Sequence, residues 1–183
     1  MRQSTHRQCG FTLTELLITL AIAGLLAALG MPALGSLVTR MQNTGAATAI
    51  TGGLHRARTA AVVRGTRVLL CPSPDGAHCH AGDDWQHGWI IATDADGDGQ
   101  PDTSVPIIAT QPALPAGIRV ITSRGRGQIA FHPNGNAAGS NARFTICGLR
   151  TRAAQAVIVA NSGRVRLAVA RPDRLQACRT GGQ

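Results

Sequence analysis

Three groups of residues in this 183-residue chain have types and spacings suited to chemistry. Cys71, His78, Cys79 and His80 place four soft metal ligands within ten residues. Their spacing fits no common zinc pattern, and adjacent ligands at 78 to 80 are hard to arrange around a tetrahedral ion. Asp94, Asp96, Asp98 and Gly99 match the first half of a calcium loop, with alternating carboxylates and a glycine for the sharp turn. The bidentate acid of such a loop would fall at position 105, which is Val105, leaving Asp102 as a partial substitute, and a solvated turn accounts for the pattern equally well. Arg164 and Arg166 are suited to phosphate oxygens, which a guanidinium binds through two parallel hydrogen bonds. Six histidines are present, but no Ser-His-Asp order, P-loop or metal-hydrolase spacing accompanies them. No catalysis, cofactor or resident metal is expected.

Short β-like runs separated by Gly, Pro and Asp must position these groups. They are Arg67 to Cys71, Gly88 to Thr93, Val105 to Ala109, Ile118 to Thr122, Gln128 to Phe131, Arg143 to Cys147, Gln155 to Ala160 and Arg164 to Ala170. Runs so spaced predict antiparallel structure, in two sheets, packed beside a helix. Val157 to Ala160, then Asn161-Ser162-Gly163, then Arg164 to Val169 reads as a hairpin with glycine in its turn. Period-2 geometry puts Val165, Leu167 and Val169 on one face and projects Arg164 and Arg166 together from the other, about 7 Å apart, a spacing comparable to that of successive phosphates. Ahead of the strands, Leu37, Met41, Ala47, Ile50, Leu54, Ala57 and Ala61 give a helix one apolar face up to about Arg64. Gly52-Gly53 weakens that helix by roughly 1 kcal/mol per glycine and marks a candidate bend.

The N-terminus adds a stronger signal. Met1 to Gly10 carries Arg2 and Arg7 with no acid, and from Leu16 to Thr39 there are 24 uncharged residues, enough at about 1.5 Å each to span a bilayer core of about 30 Å. No small-x-small cleavage site follows the apolar run, so it should stay in the mature protein, with the arginines ahead of it cytoplasmic. Glu15 is costly near the end of such a helix unless it is paired or reaches an interface.

The string Gly10-Phe11-Thr12-Leu13-Thr14-Glu15, followed by an apolar helix and Pro32, resembles the prepilin signature of type IV pilins and type II secretion pseudopilins. The resemblance implies a prepilin peptidase cutting between Gly10 and Phe11, N-methylation of Phe11, and an assembly role for Glu15. In that role the amine of a neighbouring subunit would neutralise the glutamate. Trp85-Gln86-His87-Gly88-Trp89-Ile90, the Asp-rich turn after it, and the late Ser162-Gly163-Arg164-Val165-Arg166 resemble the GspH/FimT family of minor pilins and pseudopilins. Removal of the leader takes Cys9 with it and leaves Cys71, Cys79, Cys147 and Cys178. An even number in a periplasmic chain reads as disulfides with three connectivities. Pairing Cys71 with Cys79 and Cys147 with Cys178 closes loops of sensible length, although the sequence leaves the choice open.

The expectation is therefore an α+β, pilin-like fold, with a long N-terminal helix, transmembrane in its first half, packed on an antiparallel β-sheet domain of two sheets. Residues 1–10 form the leader, 11–64 the helix and 65–183 the β-rich globular domain. The single-pass protein sits in the inner membrane with a periplasmic C-terminal domain, and later in a pilus filament beside other pilins. Gly163-Arg164-Val165-Arg166 resembles the Gly-Arg-x-Arg motif of FimT-like minor pilins, which bind double-stranded DNA in natural transformation.

Charge supports the same region. All 18 basic residues are arginine against nine acids, for a net +9. Without the leader, residues 11–142 are neutral in side-chain charge and 143–183 hold eight arginines against Asp173. The expected DNA contacts are Gly163, Arg164 and Arg166 with Arg143, Arg150, Arg152, Arg171, Arg174 and Arg179. Arg124 and Arg126 could extend the patch, though a solvated turn explains them better. An aromatic content of 3% argues against stacking on single strands. The competing reading is a GspH-like pseudopilin of type II secretion, with a structural role and no DNA partner.

Overall fold

Thr12 opens the long helix as its cap. Its hydroxyl accepts the Glu15 N–H at 3.3 Å and its carbonyl the Leu16 N–H at 3.1 Å, which satisfies donors that the first turn leaves unpaired. The structure, a computed structural model, describes residues 12–148 and 154–181, without the side chains of 29–33 and 36. Helix α1 runs over Leu13–Arg64, passing Pro32 without a break. The chain divides into two compact units, Met1–Leu37 and Val38–Gln183. In the first, α1 leaves Leu16, Leu17, Ile18, Leu25 and Leu26 exposed. Among the described residues no helix is long and apolar enough to cross a membrane.

The second unit is built from α1 and two antiparallel sheets. Strands β1 (Val68–Pro72), β2 (Trp89–Thr93), β3 (Ala109–Gln111) and β5 (Ile129–Phe131) form the first sheet, in the order β3-β2-β1-β5. Strands β4 (Ile118–Ile121), β6 (Ala142–Gly148), β7 (Ala154–Val159) and β8 (Val165–Val169) form the second, in the order β4-β6-β7-β8. A short helix, α2 (Pro172–Thr180), follows β8, with proline in its first turn and Gly181 left-handed at its end.

One core joins α1 to both sheets. Ala46, Ala47, Ile50, Leu54, Ala57 and Ala61 of α1 meet Val68, Leu70, Trp89, Ile91, Ile129 and Phe131 of the first sheet. From the second come Ile118, Val120, Phe144, Ile146, Val157 and Val159. Trp85, between β1 and β2 in sequence, is fully buried, with its ring edge-on to Phe144 at 4.9 Å and 6.4 Å from Trp89. Gly53 does not interrupt the helix. A Cβ there would lie 3.1 Å from the Trp89 indole nitrogen, so the glycine lets α1 approach the sheet closely.

The β1 and β2 strands are buried at every position, which strict alternation does not predict. Each sheet has a second, smaller cluster on its back face. Leu69, Cys71, Ile90 and Ala92 lie behind the first, while Ile121, Cys147 and Cys178 lie behind the second, with Leu175 and Ala177 of α2 packed against them. Each cluster holds a disulfide, Cys71–Cys79 or Cys147–Cys178.

The structure departs from the sequence reading at three places. Leu37 and Met41 are exposed, and the buried stripe runs instead through Thr39 and Asn43. Traced backward from Ala61 in steps of three and four, the stripe reaches 43 and 39, whereas 41 lies off it. The run at Val105 to Ala109 is not a strand until Ala109, because Pro106 has no N–H for a ladder. The third is α2, a helix where the sequence patterns predict no element.

Chain-entropy arithmetic makes the longer disulfide loop the larger contributor. Replacing Cys147 and Cys178 by serine should lower unfolding stability by about 3.5 kcal/mol, and replacing Cys71 and Cys79 by about 2.5 kcal/mol. Urea denaturation of the full chain in detergent, followed by tryptophan fluorescence, measures both.

Candidate functional site

Contacts within the fold engage part of each candidate metal group. Cys71 and Cys79 are joined to each other, and His78 Nδ1 lies 2.9 Å from Asp75 Oδ2. Asp75 Oδ1 accepts the N–H groups of Ala77 and His78 and the Ser73 hydroxyl. The Ala77 N–H, then His78 and Ser73, hold the Asp75 carboxyl well below the usual carboxylate range.

In the second group, carboxylate oxygens of Asp94, Asp96 and Asp98 lie within 4.8 Å of one another. Asp94 is fully buried, 2.7 Å from Arg67 Nη1, and accepts the Gly99 N–H. Burial pushes its pKa up, against the Gly99 N–H and the Arg67 charge. Both Asp102 oxygens accept the Ala95 N–H, and Asp96 and Asp98 accept backbone N–H groups two residues on. This is the hydrogen bonding of an aspartate-rich turn.

The arginines converge on the back face of the second sheet. The β6–β7 and β7–β8 registers pair Arg143 with Ile158 and Ile158 with Arg166, so the three lie in one row across the strands. Arg143 and Arg166 are therefore two strand spacings apart, about 9.5 Å, on one face. Arg164 lies on that face beyond Arg166, and both side chains are exposed, without a hydrogen bond or ion pair among the described residues. The hairpin forms as its sequence predicts. Ala160 N–H donates to the Arg164 carbonyl at 3.0 Å and Gly163 N–H to the Ala160 carbonyl at 2.8 Å.

Gly163 itself is buried, with φ +73°, and a Cβ there would lie 2.1 Å from the Gly135 carbonyl oxygen. Its contribution to the motif is to let the turn close and aim the two arginines.

The remaining arginines divide by role. Arg171 is exposed. Arg174 donates to the Thr122 carbonyl at 2.6 Å and so helps seat α2, and Arg179 is partly buried with interactions of its own. Arg150 and Arg152 lie outside the described residues, as do Gly10 and Phe11. Glu15 is exposed in the first turn of α1, where a carboxylate complements the helix dipole.

Two further arginines matter that the sequence did not single out for these contacts. Arg119 Nη1 donates to the carbonyls of Cys178 at 3.3 Å and Arg179 at 3.1 Å, at the C-terminal end of α2. Arg126 donates to the Gly139 carbonyl and to Asn141 Oδ1, so it is a brace between loops rather than a solvated turn residue. No local pattern links positions so far apart in the chain.

Two substitutions probe this geometry. Gly163→Ala combines a left-handed backbone with a backbone collision and should lower stability by about 3 kcal/mol in urea denaturation. For Asp75 the folded pKa lies below the unfolded one. Its stabilisation is present above the ordinary value of 3.8 and is lost progressively as pH falls below that value toward the lower folded one. Asp75→Asn should therefore flatten the acid limb of a melting-temperature profile.

Residues 46–163, more than half of the chain, match the family described as type II transport protein GspH, and residues 5–31 match the prokaryotic N-terminal methylation motif. No curated protein matches at a significant level. Among solved structures, the fold is similar to the type IV minor pilin FimU of Pseudomonas aeruginosa, at 20% identity over 70% of this chain and 90% of that one, with a TM-score of 0.58. It is also similar to the minor pseudopilin EpsH from the type 2 secretion system of Vibrio cholerae, at 13% identity over 70% and 97%, with a TM-score of 0.51. The α1 helix against two antiparallel sheets, the methylation motif and the match through the β domain agree, and the chain belongs to the GspH family of minor pilins and pseudopilins of type IV pilus and type II secretion systems.

Proposed function

We propose that this chain is a minor type IV pilin that captures double-stranded DNA through phosphate contacts, without sequence preference, for uptake in natural transformation. The observation that carries this reading is the pair Arg164 and Arg166, exposed and without partners among the described residues, on the same sheet face as Arg143. Arginines bound to phosphates position a duplex without reading its bases. The all-arginine chemistry also suits bidentate binding of phosphate better than a lysine patch would.

The remaining parts follow from the methylation motif. A prepilin peptidase cuts after Gly10, Phe11 becomes the methylated N-terminus, and residues 1–10 are the leader. The apolar part of the 11–64 helix holds the protein in the inner membrane, with the 65–183 domain in the periplasm, until it joins other pilins in a filament. There Glu15 meets the amine of a neighbouring subunit.

The competing reading, a type II secretion pseudopilin without DNA binding, draws on the GspH match itself. The two separate in a titration of the full chain in detergent with unrelated duplexes. The DNA reading expects equal affinities, falling steeply with salt, and a log–log slope reduced by about 0.9 for each of Arg164→Gln and Arg166→Gln. Absent or salt-insensitive binding rejects it.

A further inference from the structure

We infer that the free edge of β8 is a docking site for an extended segment of another protein, one whose residues alternate between acidic and apolar. This goes beyond DNA capture, because it uses the backbone and the opposite face of the strand.

Among the described residues, β8 pairs only with β7, so its outer edge is open. The pairing also decides which backbone groups face outward. Ala160 N–H donates to the Arg164 carbonyl and Ala170 N–H to the Ala154 carbonyl. Hydrogen-bonded pairs alternate along an antiparallel ladder, so positions 164, 166, 168 and 170 turn their backbone groups toward β7. Val165, Leu167 and Val169 therefore aim their N–H and C=O groups at the open edge.

Two of these three residues carry unprotected apolar surface, while Val165 packs partly against the core. Leu167 and Val169 are 62% and 84% exposed, although their face is the one on which Val157 and Val159 enter the core. An edge guarded against pairing carries charge or proline, or is short or bulged. Here charge guards one face only, through Arg164 and Arg166, and the other face presents leucine and valine beside free donors and acceptors.

These features define the occupant. Residues directly opposite each other in paired strands share a face. An incoming strand would thus place apolar side chains beside Leu167 and Val169, and carboxylates beside Arg164 and Arg166. A second copy of β8 fits poorly, because antiparallel self-pairing brings the arginines of both copies onto one face. Backbone pairing supplies affinity in such strand addition, and the alternating side chains supply specificity.

The test uses the full chain in detergent and a fluorescent, acetylated seven-residue peptide of alternating valine and glutamate. Two controls accompany it: a block-ordered peptide of the same composition, and the alternating peptide N-methylated on alternate residues. The alternating peptide should bind and slow amide hydrogen exchange at Val165, Leu167 and Val169. Each control should bind about tenfold more weakly. Leu167→Pro removes an outward N–H without touching a bond to β7 and should cost about tenfold in peptide affinity, with melting temperature and duplex binding unchanged. The methylated peptide tests the same hydrogen bonds with the protein unaltered. Equal binding of alternating and block-ordered peptides, no binding, or no protection at those three amides overturns the proposal. Protection of these amides by duplex DNA and not by the peptide also overturns it, and assigns the edge to nucleic acid.

Discussion

The second unit depends on the burial of one helical stripe between two sheets that share no named strand. From Ala46 to Ala61, the buried side chains of α1 are small or aliphatic, and they touch core residues of both sheets. Small residues let a helix approach a sheet closely, and Gly53 carries this furthest, at the Trp89 indole. A few large rings complete the contact. Trp85, Trp89 and Phe144 form one cluster, so a chain with few aromatics concentrates them where the helix and both sheets meet. Each ring buries more area than an aliphatic side chain, and the edge-on contact of Trp85 with Phe144 adds to it.

The covers on the two back faces solve a second problem. A sheet that packs one face on a helix would ordinarily leave the other to water. Here the segment around Cys79 and Ile107 covers one back face and α2 covers the other, each tied down by a disulfide. A nine-residue helix has little stability of its own. The bond to Cys147, the Arg119 contacts at its C-terminal end and the Arg174 contact to Thr122 hold it in place. Because α2 lies over Ile121 and Cys147, it leaves the Arg143–Ile158–Arg166 row beside it uncovered.

This arrangement separates arginines that build the domain from arginines that face outward. Arg67 neutralises buried Asp94, Arg119 and Arg174 seat α2, and Arg126 braces two loops. Arg164, Arg166 and Arg171 remain exposed on or next to one strand. Within residues 143–183, Arg174 already serves the fold, so the number of guanidiniums free to bind phosphate there is smaller than composition counts.

Local patterns were sufficient for much of this. The α+β class, most strand positions and the glycine-turned hairpin are written in short-range signals such as period-2 alternation, turn residues and capping. The Gly10 to Glu15 string carried the family resemblance. Both disulfides join the cysteines that sensible loop lengths favoured, although counting alone allowed three connectivities. Tertiary structure decided what depends on distant partners. It exposed Met41 and buried Asn43, because burial follows the face that meets the sheets and not hydropathy alone. It formed α2 through a disulfide and an arginine 59 residues away in the chain. Among the described residues, it also set arginines that brace the fold, such as Arg119 and Arg126, apart from exposed ones such as Arg164 and Arg166. Composition counts guanidiniums, but the hydrogen bonds that commit their donors form only when remote carbonyls and carboxylates are brought within reach.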